Sequence, residues 1–238
     1  MNFVEGEIIA INKPYRMTSF GALAHVRYLI SRKIGVKRVK TGHAGTLDPL
    51  ATGVLLLCTG RATKRIEQLQ AHSKEYTATL QLGATTASYD MEHEVNATYP
   101  VDGITQERIL DVLKQFVGDI DQVPPSYSAC KINGDRAYKL KRKGQEVELA
   151  PKKIHINEIE LTSFDPTKMQ MSIRVDCGKG TYIRALARDI GRALGSGAYL
   201  TALCRTRLGN VLLSDCIDFD TFDKWLDAQN IETKAEEK

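Results

Sequence analysis

Sixteen consecutive residues, Gly42-His43-Ala44-Gly45-Thr46-Leu47-Asp48-Pro49-Leu50-Ala51-Thr52-Gly53-Val54-Leu55-Leu56-Leu57, constrain this chain more than any other part of it. They set one acid, with a histidine nearby, in a Gly- and Pro-bounded loop that runs into an apolar strand. Gly42 and Gly45 permit backbone angles and close approaches that a Cβ blocks. Pro49 fixes its own φ and biases Asp48 toward extended geometry. A loop so constrained aims a carboxylate. Taken alone, Asp before Pro reads as a turn or helix cap, its carboxylate bonding a nearby backbone N–H.

The whole string resembles the signature G-H-x-G-T-L-D-P-x-A-x-G-x-L of the TruB family of pseudouridine synthases, which modify uridine 55 in the T-arm of tRNA. Ala44 stands where many members carry a hydroxyl residue, in a variable slot of the signature. The resemblance implies that Asp48 is the catalytic nucleophile. The residue type suits the chemistry: a glycosidic C–N bond is cut and remade as C–C with no redox change, and a carboxylate can attack or stabilise the fragments. His43 is expected to fill or brace the stack vacated when the target base flips out.

Other blocks carry the resemblance from about Gly6 to Gly209. Asn12-Lys13-Pro14, followed by Met17-Thr18-Ser19, looks like the family's first motif; by itself it is a Pro turn feeding a capped helix. Lys74-Glu75-Tyr76 resembles the block whose tyrosine stacks on the flipped uracil, where bare alternation makes Tyr76 a strand residue of the core. Cys177-Gly178-Lys179-Gly180-Thr181-Tyr182-Ile183-Arg184 implies substrate contact for Tyr182 and pairing with the catalytic carboxylate for Arg184. An arginine there would hold the acid ionised at neutral pH. The same Gly-rich turn does not match G-x-x-x-x-G-K-[ST], so a nucleotide-hydrolase reading fails. Leu203 aligns with a leucine that packs on the target base, and Pro125 to Lys131 with Gly134 and Tyr138 matches a scaffold block.

A formal net charge of only +4 over 238 residues leaves any nucleic-acid surface to local clusters. Those clusters are Arg32, Lys33, Lys37, Arg38 and Lys40; Lys131, Arg136, Lys139, Lys141, Arg142 and Lys143; Lys152 with Lys153; and Arg205 with Arg207. Five cysteines without a C-x-x-C pair read as reduced, buried thiols, and five histidines without ligand spacing indicate no metal. No cofactor is expected. No apolar run approaches the ~18 residues that span a bilayer, and no secretory leader is evident, so a cytoplasmic protein away from membranes is expected.

Periodicity predicts strands over Gly6–Asn12, Val54–Cys58, Glu75–Leu82, Ile154–Leu161 and Met169–Cys177. Helices are predicted with apolar stripes through Leu23, Val26, Leu29 and Ile30, over Ala62–Gln70, over Thr105–Phe116, and over Thr181–Leu194. This mixed order predicts an α+β fold with a mostly antiparallel sheet flanked by helices, which the resemblance identifies as the pseudouridine-synthase fold. A catalytic domain is expected over 1–231, with a charged tail over 232–238. The accessory RNA-binding domain of the PUA type, which many relatives carry after the block ending near Gly209, is expected to be absent. In its place Asp218 to Ala228, with Phe222, Trp225 and Leu226, is expected to pack back as one amphipathic helix.

The expected function is isomerisation of a T-arm uridine of tRNA by a monomer with no obligate protein partner. The alternative from another class is an RNA-binding or RNA-folding module in which Asp48 is structural.

Overall fold

Burial alternates residue by residue along the strands Ile8–Lys13, Lys74–Leu82 and Gln170–Cys177. A computed structural model describes residues 1–128, 130–132, 135–137, 145 and 149–232. In chain order the elements are β1 (Ile8–Lys13), α1 (Ser19–Lys33), β2 (Thr41–Ala44), β3 (Thr52–Thr59), α2 (Ile66–Ala71), β4 (Lys74–Leu82), β5 (Ala84–Thr86) and β6 (Val95–Thr98). There follow α3 (Gln106–Lys114), β7 (Gly118–Gln122), β8 (Lys131–Ile132), β9 (Asp135–Arg136), β10 (Lys152–Asp165), β11 (Gln170–Cys177) and α4 (Ile183–Ala193). The chain then forms β12 (Ala198–Leu208), β13 (Val211–Leu212), β14 (Ile217–Asp218) and α5 (Phe222–Asp227).

These elements fall into two compact units. The first comprises residues 1–74 and the chain from Cys204 onward; the second is Glu75–Leu203. In the first, the strand order is β14-β1-β3 followed by the end of β12, with β2 on β3 and β13 on β12. Its β1, β2 and β3 pair antiparallel, while β14 on β1 and β12 on β3 are parallel. Strand β3 is buried almost throughout, because neither of its faces reaches solvent. Val54, Leu56 and Cys58 point into one apolar cluster with Ala44, Leu69 and Leu208. Buried strand residues of this kind supply roughly 1.5–3 kcal/mol each.

Helix α1 starts where Thr18 caps it, its Oγ1 accepting from the amide of Gly21 at 2.9 Å. It buries Ala22, Leu23, Val26 and Ile30, the predicted stripe except that Leu29 is only half-buried. The helix expected over Ala62–Gln70 is a 3-10 stretch, Gly60–Arg65, before the short α2. That stretch starts at the left-handed Gly60, whose amide donates to Lys40 O at 2.9 Å. The terminal amphipathic segment likewise divides into a 3-10 turn and α5, which buries Phe222 and Leu226.

In the second unit the strand order is the start of β12, then β4-β11-β10-β7, with β5-β6 and β8-β9 as separate hairpins. Here β4 buries Tyr76, Ala78, Leu80 and Leu82 and β11 buries Met171, Ile173, Val175 and Cys177, the period-2 pattern read from sequence. On the other face Arg174 of β11 pairs with Glu75 of β4 and with Glu158 and Glu160 of β10. The helix expected from Thr181 begins later, at Ile183, with the extended Tyr182 as its N-cap.

Candidate active site

Within the first unit, Arg205, Lys13 and Ser19 hold the loop that carries Asp48. Gly45 enters the loop at φ +88°, and Gly53 leaves it at φ +102°, angles that L side chains rarely adopt. A Cβ on Gly53 would overlap the backbone of Arg205, because β12 pairs with β3 there, Arg205 opposite Gly53. From β12 the Arg205 guanidinium reaches back through the loop. Its Nε donates to Val54 O at 2.8 Å and its Nη2 to Gly45 O at 3.1 Å, so one side chain ties both feet of the segment that carries Asp48.

A second cation lies under the same loop. The Lys13 ammonium donates to Pro14 O at 2.8 Å, to Met17 O at 2.6 Å and to Pro49 O at 3.4 Å. Burial lowers it from 10.5 to about 8; the negative charge of Asp48 opposes that fall and the positive charge of Arg205 adds to it. The loop is also held from α1, where Ser19 Oγ binds both backbone polar groups of Leu47. Inside the loop, the amide of Ala51 donates to Asp48 O at 3.1 Å.

His43 sits on β2 opposite Leu57 of β3. Its Nδ1 is buried with no hydrogen-bond partner among the described residues. Burial, with the charge of Arg205 adding to it, lowers its pKa below the ordinary value, so the ring is neutral at pH 7.

Of the other residues predicted for the site, Tyr76, Tyr182, Arg184 and Leu203 belong to the second unit. Tyr76, 8% exposed, lies on the buried face of β4. Leu203 is half-buried on β12 rather than a core residue. Tyr182 exchanges two bonds with the side chain of buried Gln122: its amide donates to Oε1 at 2.9 Å and its carbonyl accepts from Nε2 at 3.2 Å. Its hydroxyl lies 3.2 Å from the Cys130 thiol, which also lies 3.6 Å from the Lys152 ammonium. Burial alone would raise that thiol, but hydrogen bonds from Tyr182 and Ser128 and the charge of Lys152 together lower it.

Arg184 is buried at the start of α4. Its Nη1 donates to Ser88 O at 3.1 Å and its Nη2 to Tyr127 O at 3.0 Å, with Asp90 Oδ2 3.6 Å from Nε. These contacts fix the orientation of the guanidinium.

The surface cluster expected of Arg205 with Arg207 is not formed, because Arg205 is buried. Arg205 is 1% exposed and spends its donors on backbone carbonyls, while Arg207 bonds Ser73 Oγ and Gly209 O. Lys13 and Gln122 also escaped notice as positioning residues; the Lys-Pro pair was a signal for the first, and nothing local marks the second. The cluster Arg32–Lys40 is exposed at Arg32, Lys33, Lys37, Arg38 and Lys40, and Lys152 and Lys153 are exposed on β10. Gly134, Tyr138, Lys139, Lys141, Arg142 and Lys143 lie outside the described residues, as does the charged tail beyond Glu232. Among the described residues no group of three or more His, Cys, Asp or Glu could hold a metal ion, and no helix is long and apolar enough to cross a membrane.

An aspartate loop clamped by two buried cations, on a mixed and mostly antiparallel sheet, defines a class. The chain belongs to the TruB family of pseudouridylate synthases, whose N-terminal domain model matches residues 32–183. It is 60% identical over 234 residues to tRNA pseudouridine synthase B of Bacteroides thetaiotaomicron, covering 98% of each chain. To the protein of the same name from Parabacteroides distasonis it is 56% identical over 238 residues, the whole of both.

Solved structures agree. A chain in the crystal structure of a Cbf5-Nop10-Gar1 complex superposes with a TM-score of 0.67 at 27% identity, over 94% of this chain and 56% of that one. A chain in the structure of an H/ACA RNP bound to a substrate RNA containing 2'-deoxyuridine gives 0.65 at 26% identity, over 96% and 57%. This chain thus spans little more than half the length of those two. The expected α+β pseudouridine-synthase fold is the fold observed.

Proposed function

We propose that this protein isomerises a uridine of tRNA to pseudouridine, the uridine being position 55 of the T-arm, with Asp48 as nucleophile. The reaction breaks the bond from ribose C1' to N1 of uracil and forms a bond from C1' to C5. The hydrogen on C5 leaves as a proton, and N1 gains one. The observation that carries the reading is the Asp48 loop itself, held rigid by Arg205, Lys13 and Ser19 in a chain 60% identical along nearly its full length to a tRNA pseudouridine synthase B. A carboxylate fixed in this way needs no reorganisation before it attacks.

The remaining roles follow the family resemblance. Tyr76 stacks on the extruded base, Tyr182 and Leu203 contact it, Arg184 serves as counter-charge to the nucleophile, and neutral His43 occupies the space the base vacates. Extrusion costs a few kcal/mol, which stacking on Tyr76 offsets. The protein acts alone as a monomer in the cytoplasm, with no cofactor.

The test uses isolated protein and a tRNA transcript labelled with tritium at uracil C5. Tritium release, with pseudouridine mapped to the T-arm, is the expected result, and Asp48→Asn should abolish release while the transcript still binds. Binding without release by the unaltered protein would instead favour an RNA-folding module with a structural Asp48.

A further inference from the structure

Between Glu7 and Asp48 lie forty residues without one acid, while eight lysines and arginines fall among them. Their charge of +8 is twice the net +4 of the whole chain, so the first unit concentrates positive charge on one segment. Lys13 is buried and Lys33 is neutralised by Asp227 at 2.6 Å, but Arg16, Arg32, Lys37, Arg38 and Lys40 remain exposed.

Large aromatic side chains stand among these charges. Phe20 is 63% exposed, Tyr28 is 59% exposed, and Tyr15 is 44% exposed with the Arg16 guanidinium 5.6 Å from its ring centre. On α1 a rise of about 1.5 Å per residue sets Phe20 and Tyr28 roughly 12 Å apart on the side away from Leu23, Val26 and Ile30, and Arg27 lies two turns from Phe20. Single exposed aromatics are ordinary on soluble proteins. Aromatic rings interleaved with basic side chains, on a segment without acids, form the surface that takes unpaired nucleotides, the rings stacking on bases and the cations meeting phosphates.

The surface also has a defined place. Phe20 follows Ser19, whose hydroxyl binds Leu47 next to Asp48, so the aromatic row begins beside the nucleophile loop and leads away from it.

We propose that Phe20 and Tyr28 of α1, with Arg27 and Arg32 of the same helix and with Tyr15 and Arg16 of the turn before it, bind unpaired nucleotides of the tRNA substrate outside the stem-loop that carries the target uridine. This rests on the function proposed above. Unpaired nucleotides fit and a duplex does not, because paired bases hide their faces in the helical stack and leave nothing for Phe20 and Tyr28 to cover.

The experiment compares the unaltered protein, the double variant Phe20→Ser/Tyr28→Ser and the conservative double variant Phe20→Tyr/Tyr28→Phe on full-length tRNA and on an isolated T-arm hairpin. The serine variant should bind full-length tRNA about tenfold or more weakly and the hairpin as before, with the slope of log affinity against log salt and the rate on saturating hairpin unchanged. The conservative variant should bind both RNAs like the unaltered protein. Equal affinity of the serine variant for full-length tRNA overturns the proposal, as does an equal loss on both RNAs. A concentration-dependent dimer of the unaltered protein that the serine variant abolishes overturns it too, in favour of self-association. Failure of the unaltered protein to modify the hairpin or the tRNA at all would overturn the proposed function, a result separate from these.

Discussion

Ser19 Oγ accepts from the amide of Leu47 at 2.8 Å and donates to the carbonyl of the same residue at 3.0 Å. One buried hydroxyl thereby satisfies both backbone groups of the residue before Asp48, work that a sheet ladder does elsewhere. Helix α1, capped by Thr18, is joined in this way to the nucleophile loop.

Replacing Ser19 with Ala strands a buried N–H and C=O, at about 1–3 kcal/mol. In a chain of this size each kcal/mol lowers the melting temperature by about 2–4 °C. Thermal unfolding should show that fall, and the single-turnover rate should drop more than tRNA affinity. An unaltered rate would mean that the loop keeps its aim without Ser19.

Arg205→Lys should lower the single-turnover rate by about tenfold or more, because an ammonium cannot bridge Val54 O and Gly45 O as the forked guanidinium does. The dissociation constant for tRNA and its salt dependence should stay as they are. A phosphate contact would behave differently, since losing one reduces the salt slope by about 0.7–0.9, and that outcome would return Arg205 to the RNA surface.

Lys13 predicts a pH dependence. Its ammonium titrates near 8 in the native protein and near 10.5 in the unfolded chain, so native Lys13 loses its proton first as pH rises. Between those values the unfolded state holds more protons, and this residue makes stability increase with pH across that window. Urea unfolding of Lys13→Met at pH 7.5 and pH 10 should lack that gain. The rate should also fall above about pH 8 as the charge beneath Pro49 disappears, and Lys13→Arg should remove that alkaline limb; a limb that persists in Lys13→Arg belongs to another group.

Tyr76→Phe keeps the ring and should keep affinity, whereas Tyr76→Leu should lose about 1–3 kcal/mol of base contact. His43→Ala should slow turnover on structured tRNA more than Tyr76→Phe does. Equal behaviour of Tyr76→Leu and the unaltered protein in a binding titration would make Tyr76 a core residue only.

Neutralising the exposed pair Lys37 and Arg38 together should reduce the salt slope by about one to two units and leave the modified uridine the same, because phosphate contacts position a substrate and do not specify it. Modification at a second uridine in that variant would contradict this.

Features encoded at short range were legible without any coordinates. Period-2 alternation marked β4 and β11 because each side chain's face follows from its parity, and the sixteen-residue string around Asp48 identified the family because its chemistry is contiguous. Features that depend on long-range packing were not. In Cys204-Arg205-Thr206-Arg207 two arginines on one side of a strand read alike, yet Arg205 is buried because β12 pairs with β3 at Gly53 and brings it to carbonyls 151 and 160 residues away. Lys13 became a loop clamp by reaching Pro49, and Phe20 an exposed ring by falling on the outer side of α1. Local pattern reports which way a side chain points, whereas the partner it meets there is fixed by register between distant strands, and a single sequence carries no periodic trace of that pairing.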